Sequence, residues 1–180
     1  MKRRIHLFGA SGSGTSSIGK AICRQIGYKH LDSDNYLWLP TEEPFTVMRS
    51  SEEYINMMGK DLVENKNWVL CGHVSFGLNN VYLSLYELVV FIYVPTEIRL
   101  ERLKKREFER YGREILPGGK NYEKTCKFME YASGYDTVKT LGRNLYKHKE
   151  WLKGLKCTVI EIINDSFEES VRKIIESIKN

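Results

Sequence analysis

A glycine-rich segment near the N-terminus carries the clearest chemistry in the sequence. It lies between the apolar run 5–8 and a helical pattern that begins at Ser16. Glycines at three of its first six positions allow a tight backbone turn, because glycine adopts the required torsions without strain. The N–H groups of such a turn, together with those of a helix start, bind phosphate. We therefore predict a phosphate-binding loop whose contacts come from Gly9, Ser11, Gly12, Ser13, Gly14, Thr15 and Ser16.

One position of this loop departs from the Walker A pattern, G-x-x-x-x-G-K-[ST]. Ser16 stands where a hydroxyl ligates Mg²⁺, but Thr15 replaces the lysine. That lysine reaches the β- and γ-phosphates and holds negative charge during transfer, whereas threonine donates a hydrogen bond without charge. Another cation must compensate, or phosphoryl transfer will be slow. The alternative is a strand-to-helix turn that binds no ligand.

Candidate cations follow Pro95, on a segment with a helical pattern. Five arginines there are spaced 3, 4, 4 and 3 residues apart, and at about 100° per residue they share an arc of roughly 80°. They are Arg99, Arg102, Arg106, Arg110 and Arg113. Such a stripe suits polyphosphate, because each guanidinium presents a planar fork of donors. The alternative is a solvated helix face paired with glutamates. We favour this alternative for Arg99 and the phosphate role for Arg102 and Arg106.

Two carboxylates leave the second predicted strand two residues apart. Asp32 and Asp34 suit the water shell of Mg²⁺ and the acceptance of a proton from an attacking hydroxyl. The alternative is turn chemistry and a helix cap. We favour the functional interpretation.

Further candidates would bind the acceptor of a transferred group. Gly72 closes the third predicted strand and would allow close backbone approach to a substrate phosphate or to the phosphate loop. His73 is a contact for the acceptor, and Arg49 is a cation for an acceptor anion. A structural role fits His73 and Arg49 equally well. Aromatic residues of a proline-containing loop would line an acceptor pocket or simply pack together: Tyr36, Trp38 and Phe45.

Composition limits the class of protein. The 180 residues are 42% apolar and 28% charged, which is typical of a soluble globular protein. No apolar run approaches the roughly 20 residues that cross a bilayer, and the N-terminus lacks a signal-peptide core, so we expect a cytoplasmic protein. The net charge of +5 suits an anionic ligand. The four cysteines are dispersed and indicate neither a zinc site nor a disulfide framework.

Strand and helix patterns alternate along the whole chain. Strands are predicted at Arg4–Phe8, Tyr28–Leu31, Trp68–Cys71, Leu88–Val94 and Thr158–Ile163. Helices are predicted at Ser16–Ile26, Ser51–Asn65, Thr96–Arg110, Tyr122–Tyr131, Val138–Leu152 and from Phe167 to Ile178, with a loop at Tyr36–Thr46. This alternation predicts one α/β domain over residues 1–180, with a five-stranded parallel sheet between helices on both faces. Ligands of such sheets bind where strands end, here at Gly9, Asp32, Gly72, Pro95 and Asn164.

The pattern resembles the small P-loop kinases, namely adenylate and cytidylate kinases with shikimate and gluconate kinases as relatives. The most specific pieces are the loop 9–16, Asp32-Ser33-Asp34 and Val94–Arg106. The resemblance implies a P-loop kinase-type fold with sheet order 2-3-1-4-5, a helical lid at about Arg106–Tyr135, and ATP with Mg²⁺ as cofactors. The pattern is also similar to bacterial proteins called adenylate-kinase-related.

The resemblance also implies roles for individual residues. By similarity to shikimate kinases, Asp32 would support Mg²⁺ beside Ser16, and Asp34 would orient or deprotonate the acceptor hydroxyl. By similarity to adenylate kinases, Arg102 and Arg106 would clamp phosphates. Archaeal-type cytidylate kinases carry a similar G-S-G-T-T loop, which resembles the segment around Thr15. The ending Cys71-Gly72-His73 departs from the D-G-F-P-R of adenylate kinases, so acceptor identity is not carried over.

These observations predict an ATP-dependent phosphotransferase, a monomer or homodimer, acting on a small acceptor. A nucleoside monophosphate is preferred over a sugar-like acid, and the lid arginines would supply the cation missing at Thr15. The alternative is a catalytically weak ATP-binding regulatory protein of the same fold. A nucleic-acid-binding module is disfavoured, because the sequence carries no recognised motif for that function.

Overall fold

The computed structural model describes residues 1–74, 81–140, 142–163 and 166–180, and it contains a five-stranded sheet. The strands are β1 Arg4–Gly9, β2 Lys29–Asp32, β3 Trp68–Cys71, β4 Leu88–Tyr93 and β5 Thr158–Ile163. Their order is β2-β3-β1-β4-β5, and β1 pairs in parallel with both β3 and β4. The predicted α/β class and strand order are confirmed. Asn164, one of the predicted strand ends, lies outside the described residues.

The helices agree with the sequence patterns except in two places. They are α1 Thr15–Ile26, α2 Ser33–Leu37, α3 Ser51–Glu64, α4 Thr96–Tyr111, α5 Tyr122–Ser133, α6 Leu145–Lys153 and α7 Phe167–Lys179. The predicted loop Tyr36–Thr46 is wrong at its start, because α2 continues to Leu37. The predicted helix Val138–Leu152 is wrong in its first half. Asn144 caps α6 by accepting a hydrogen bond from the Lys147 N–H, so that helix begins seven residues later.

The described chain divides into two compact units. The first contains Met1–Gly9, Thr15–Ile92 and Leu155–Asn180, and the second contains Ala10–Gly14 and Tyr93–Gly154. The single domain predicted from the sequence therefore stays a prediction. Among the helices that the structure describes, none combines the length and the apolar character needed to cross a bilayer.

The core of the first unit lies on the sheet. In the register of the parallel strands, Leu7 of β1 lies between Cys71 of β3 and Val90 of β4, and all three are fully buried. Burial on both faces explains why these strands are continuous apolar runs rather than alternating ones. Helix α7 adds an apolar face made of Val171, Ile174, Ile175 and Ile178. All four cysteines are free, with Cys23 and Cys71 buried and Cys126 exposed.

A histidine is fully buried in the central strand. The Nε2 atom of His6 donates to the Gly72 carbonyl oxygen at 3.1 Å, and its ring packs 5.3 Å from that of Phe8 and 4.9 Å from that of Tyr86. Burial lowers the pKa of His6 from its ordinary 6.5 to about 4, although the bond to Gly72 acts in the opposite direction. The imidazole is therefore neutral in the folded protein at physiological pH.

This histidine should make folding stability depend on pH. As the pH falls from 7.5 to 5, the unfolded chain binds a proton at His6 while the folded chain does not, so the free energy of unfolding should fall by about 2 kcal/mol through this group. Urea unfolding at both pH values measures the change. In His6→Gln that part of the pH dependence should disappear, whatever its absolute stability. An unchanged pH dependence in the variant would contradict the prediction.

Candidate phosphate-binding site

The predicted phosphate loop forms the expected strand-turn-helix. Gly9 ends β1, and Thr15 and Ser16 open α1. Within the second unit, the Ser13 N–H donates to the Ala10 carbonyl oxygen at 3.1 Å and closes the turn. Gly12 has a φ of +83°, and a Cβ there would lie 2.8 Å from the Arg99 carbonyl oxygen. The loop therefore packs directly on the first turns of α4, and only glycine fits at this contact.

Arg99 lies under this loop, and the prediction that it belongs to a solvated helix face is wrong. Its guanidinium is fully buried and makes five hydrogen bonds. The acceptors are the carbonyl oxygens of Ser11 (3.4 Å), Ala132 (3.1 Å) and Val94 (3.0 Å), the Thr96 hydroxyl (2.8 Å) and the Asp136 carboxylate (3.4 Å). The guanidinium also lies 5.1 Å from the centre of the Tyr135 ring. Helical spacing placed Arg99 on the stripe but did not show that the loop covers its side chain.

A second arginine reaches the loop from a segment that sequence analysis missed. The Nη2 atom of Arg143 donates to the Ser11 hydroxyl oxygen at 2.6 Å, within the second unit, and the side chain is half-buried. Sequence analysis missed Arg143 because it placed this residue inside a helix predicted over Val138–Leu152. The signal that would have found it is Asn144, a preferred N-cap residue, because a helix beginning there leaves Arg143 in the preceding loop.

The two favoured arginines of α4 lie elsewhere in the second unit. Arg106 donates through Nε and Nη2 to the buried Glu107 carboxylate at 3.1 and 2.9 Å, and its guanidinium lies over the Phe128 ring. Arg102 is exposed. In the described part of the chain, neither side chain makes a hydrogen bond to Ser11. Their predicted role toward phosphate stays a prediction, as does the lid at 106–135.

The predicted magnesium ligands come together in the first unit. The Ser16 hydroxyl donates to Oδ2 of Asp32 at 2.6 Å. The other oxygen of this carboxylate accepts the N–H of Asp34 at 3.1 Å and so caps α2. The two interpretations of Asp32, as helix cap and as functional carboxylate, are thus compatible. Asp34 lies in the first turn of α2 with an exposed side chain.

The acceptor candidates occupy different environments. A Cβ at Gly72, whose φ is +96°, would lie 2.3 Å from the Ser33 hydroxyl oxygen, so β3 ends in close approach to the start of α2. The predicted approach of Gly72 to a substrate phosphate or to the phosphate loop stays a prediction. His73 is half-buried.

Arg49 donates through Nη1 to three carbonyl oxygens around the end of α2, at 2.7 to 3.2 Å. Tyr36 is buried and donates to the Asp61 carboxylate at 2.6 Å, which is a packing role.

This fold is shared with solved shikimate kinases. A solved shikimate kinase from Acinetobacter baumannii, in complex with shikimate, has a TM-score of 0.58 at 19% identity and covers 99% of this chain and 94% of its own. The shikimate kinase of Acinetobacter baylyi is 29% identical over 110 residues, which are 54% of this chain and 59% of that protein. The chain thus matches little more than half the length of that relative.

A closer relationship extends over nearly the whole length. The uncharacterized protein YqaC of Bacillus subtilis is 42% identical over 177 residues, which cover 98% of this chain and 97% of that protein. The chain therefore belongs to the same family as YqaC. A comparison with models of known protein families gives no match.

The buried guanidinium of Arg99 should be important for stability. Replacement by methionine in Arg99→Met leaves Asp136 and three carbonyl oxygens without this donor, which should lower the free energy of unfolding by about 3–5 kcal/mol. Arg102→Met, at an exposed position of the same helix, is the matched control and should cost less than about 1 kcal/mol. Urea unfolding measures both variants. A similar cost for the two would mean that the Arg99 network is not stabilising.

The close approach at Gly72 can be tested separately from backbone strain. Gly72→Ala introduces both an unfavourable φ and a clash with the Ser33 hydroxyl, and it should cost about 2–3 kcal/mol. Gly27→Ala is the control, because Gly27 has a φ of +72° but open space around a Cβ. Its cost should be about 1 kcal/mol. Equal thermal stability of the two variants would argue against a clash at Gly72.

Proposed function

We propose that this protein is an ATP-dependent phosphotransferase that acts on a small acceptor bearing a hydroxyl group. The observation that carries the proposal is the 2.6 Å hydrogen bond between Ser16 and Asp32. It joins the last residue of the phosphate-loop motif to the first carboxylate of the Asp-x-Asp sequence. Nucleotide phosphates and a divalent cation need this combination of backbone amides, hydroxyl and carboxylate.

The residues present fit a magnesium ion. Mg²⁺ takes oxygen ligands, commonly one or two from the protein beside waters and substrate phosphates. Ser16 and Asp32 would hold it, the serine directly and the carboxylate directly or through water. When bound, the ion would neutralise negative charge on the transferring phosphoryl group. The backbone amides of Ala10–Gly14 would hold the phosphates, and Asp32 would keep the Ser16 hydroxyl oriented.

Asp34 favours a hydroxyl as the acceptor. An exposed carboxylate two residues after Asp32 suits acceptance of a proton from an attacking hydroxyl, and it would repel an acceptor phosphate. Arg49, the cation expected to hold such a phosphate, instead has Nη1 on the carbonyl oxygens around the end of α2. The relationship to proteins named shikimate kinase points in the same direction. A nucleoside monophosphate, preferred from the sequence and implied by an adenylate-kinase-like activity, is therefore the second candidate.

The rival proposal is a regulatory protein that binds ATP without turnover. Thr15 supports it, because the loop lacks its usual cation. The Ser16–Asp32 pair favours the phosphotransferase, because Mg²⁺ held there would neutralise the charge that develops on a transferring phosphoryl group.

A panel of acceptors tests the proposal. Purified protein with Mg-ATP should form ADP and a phosphorylated product with shikimate, gluconate or a nucleoside monophosphate, with hydroxy acids preferred, as followed by phosphorus NMR. Nucleotide binding without phosphorylation of any acceptor would support the regulatory protein instead. Preferential turnover of a nucleoside monophosphate would reverse the order of the two acceptor classes.

Two matched variants test the assigned roles. Asp32→Asn should raise the Mg²⁺ concentration needed for half-maximal turnover. Asp34→Asn, two residues away, should lower kcat by about 10²–10⁴-fold without changing that concentration. If both variants change the same parameter, the division of roles is wrong.

A further inference from the structure

We infer that Arg143 supplies the phosphate loop with the positive charge that Thr15 does not carry. The inference rests on the proposed function, because it takes nucleotide phosphates as the ligand of the loop. It replaces the sequence-based expectation that the cation comes from the arginines of α4.

The position of Arg143 supports this assignment. Its guanidinium already lies at the loop, with Nη2 bonded to the Ser11 hydroxyl at 2.6 Å. A guanidinium carries five N–H donors, and this bond engages one of them. The remaining donors suit the oxygens of a phosphate, which a guanidinium binds in a bidentate manner. The bond to Ser11 would orient the group before the ligand arrives, which reduces the entropy lost on binding.

The charge of Arg143 is not neutralised by an acidic side chain in the described parts of the chain. Three other arginines of this unit, by contrast, are each bonded to a carboxylate. Arg99 is surrounded by five acceptors that include the Asp136 carboxylate, and Arg106 and Arg110 share Glu107. A guanidinium bound to a carboxylate must give up that partner before it binds phosphate. Arg143 has no such cost among the contacts described.

The backbone beside Arg143 is firmly held. Asn144, the next residue, is buried, donates through Nδ2 to the Lys139 carbonyl oxygen at 2.8 Å and accepts the Lys147 N–H at 2.8 Å. These bonds close the turn before α6 and fix the point from which the Arg143 side chain extends. Helix capping thus sets the starting point of the side chain, and the bond to Ser11 sets the position of the guanidinium.

Nucleotide binding measured without turnover tests the inference. Calorimetry should show that Arg143→Ala binds the Mg²⁺ complex of a non-hydrolysable ATP analogue about 10–100-fold more weakly than the unchanged protein, since a hydrogen bond to a charged group is lost. Affinity for adenosine, which has no phosphate, should stay the same. Arg143→Lys should retain part of the affinity. Arg24→Ala, which removes an exposed arginine on α1, should bind both ligands normally. A loss for Arg143→Ala no larger than that of Arg24→Ala would overturn the inference.

A double variant separates charge replacement from a structural role. In a Thr15→Lys background the loop carries its own cation. There, the fold loss of affinity for the ATP analogue caused by Arg143→Ala should be less than one third of the fold loss in the natural background. A loss of the same size in both backgrounds would mean that Arg143 acts on the fold of the loop and would overturn the inference. Circular dichroism melts of each variant show whether the chain is folded.

The outcomes also distinguish this inference from the proposed function. Weaker analogue binding by Arg143→Ala, in a protein that phosphorylates no acceptor of the panel, would support the cation role and contradict the phosphotransferase. Turnover that Arg143→Ala leaves unchanged would support the phosphotransferase and overturn the cation role. Loss of analogue binding in Arg106→Ala but not in Arg143→Ala would overturn the inference and would mean that an arginine of α4 supplies the cation.

Discussion

The fully buried guanidinium of Arg99 is the interaction on which the second unit depends. A charge removed from water is costly unless it is paired and hydrogen-bonded, and here the Asp136 carboxylate and four neutral acceptors meet that requirement. These acceptors come from the residue after β4, the start of α4, the end of α5 and the turn that follows it, and the phosphate loop. One side chain therefore holds the Ser11 carbonyl oxygen in a fixed relation to two helices. The shape of the loop follows from this network as much as from its glycines.

The same network decides how positive charge is distributed around the loop. Since all five N–H donors of Arg99 are engaged, Arg99 has little left to offer a ligand. Arg106 and Arg110 are paired with Glu107, so the stripe of α4 is largely an internal ion-pair network. Arg143 lies outside these networks and reaches the loop through a hydroxyl, a weaker and more easily rearranged partner. A loop without its lysine thus still has a cation within reach, but one that comes from a distant part of the sequence.

In the first unit, one carboxylate both caps a helix and holds a hydroxyl group. Asp32 caps α2 with one carboxylate oxygen and accepts the Ser16 hydroxyl with the other. The cap fixes the carboxylate, and the fixed carboxylate orients the hydroxyl, so the proposed magnesium ligands are held in place by contacts within the protein. Gly72 belongs to the same arrangement, because only a residue without a side chain lets β3 end against Ser33. Such preorganisation is what a transfer reaction requires, since positioning supplies much of its rate.

The sequence by itself determined the class of fold and the strand-turn-helix around the glycine-rich loop, and the Ser16–Asp32 hydrogen bond came from the structure. Local patterns are sufficient for these features, because apolar runs mark buried strands, helical periodicity marks helices, and glycine spacing marks the turn. The strand order was predicted from a resemblance to a family, and the structure confirmed that order. Only the tertiary structure decided which arginines reach the loop. Periodicity shows that two side chains share a face of a helix, but it does not show what covers that face. Nor does it show that Arg143, 132 positions away in sequence, bonds to Ser11. Arg99 was misjudged and Arg143 was missed for that reason, since burial and long-range contact are properties of packing rather than of spacing.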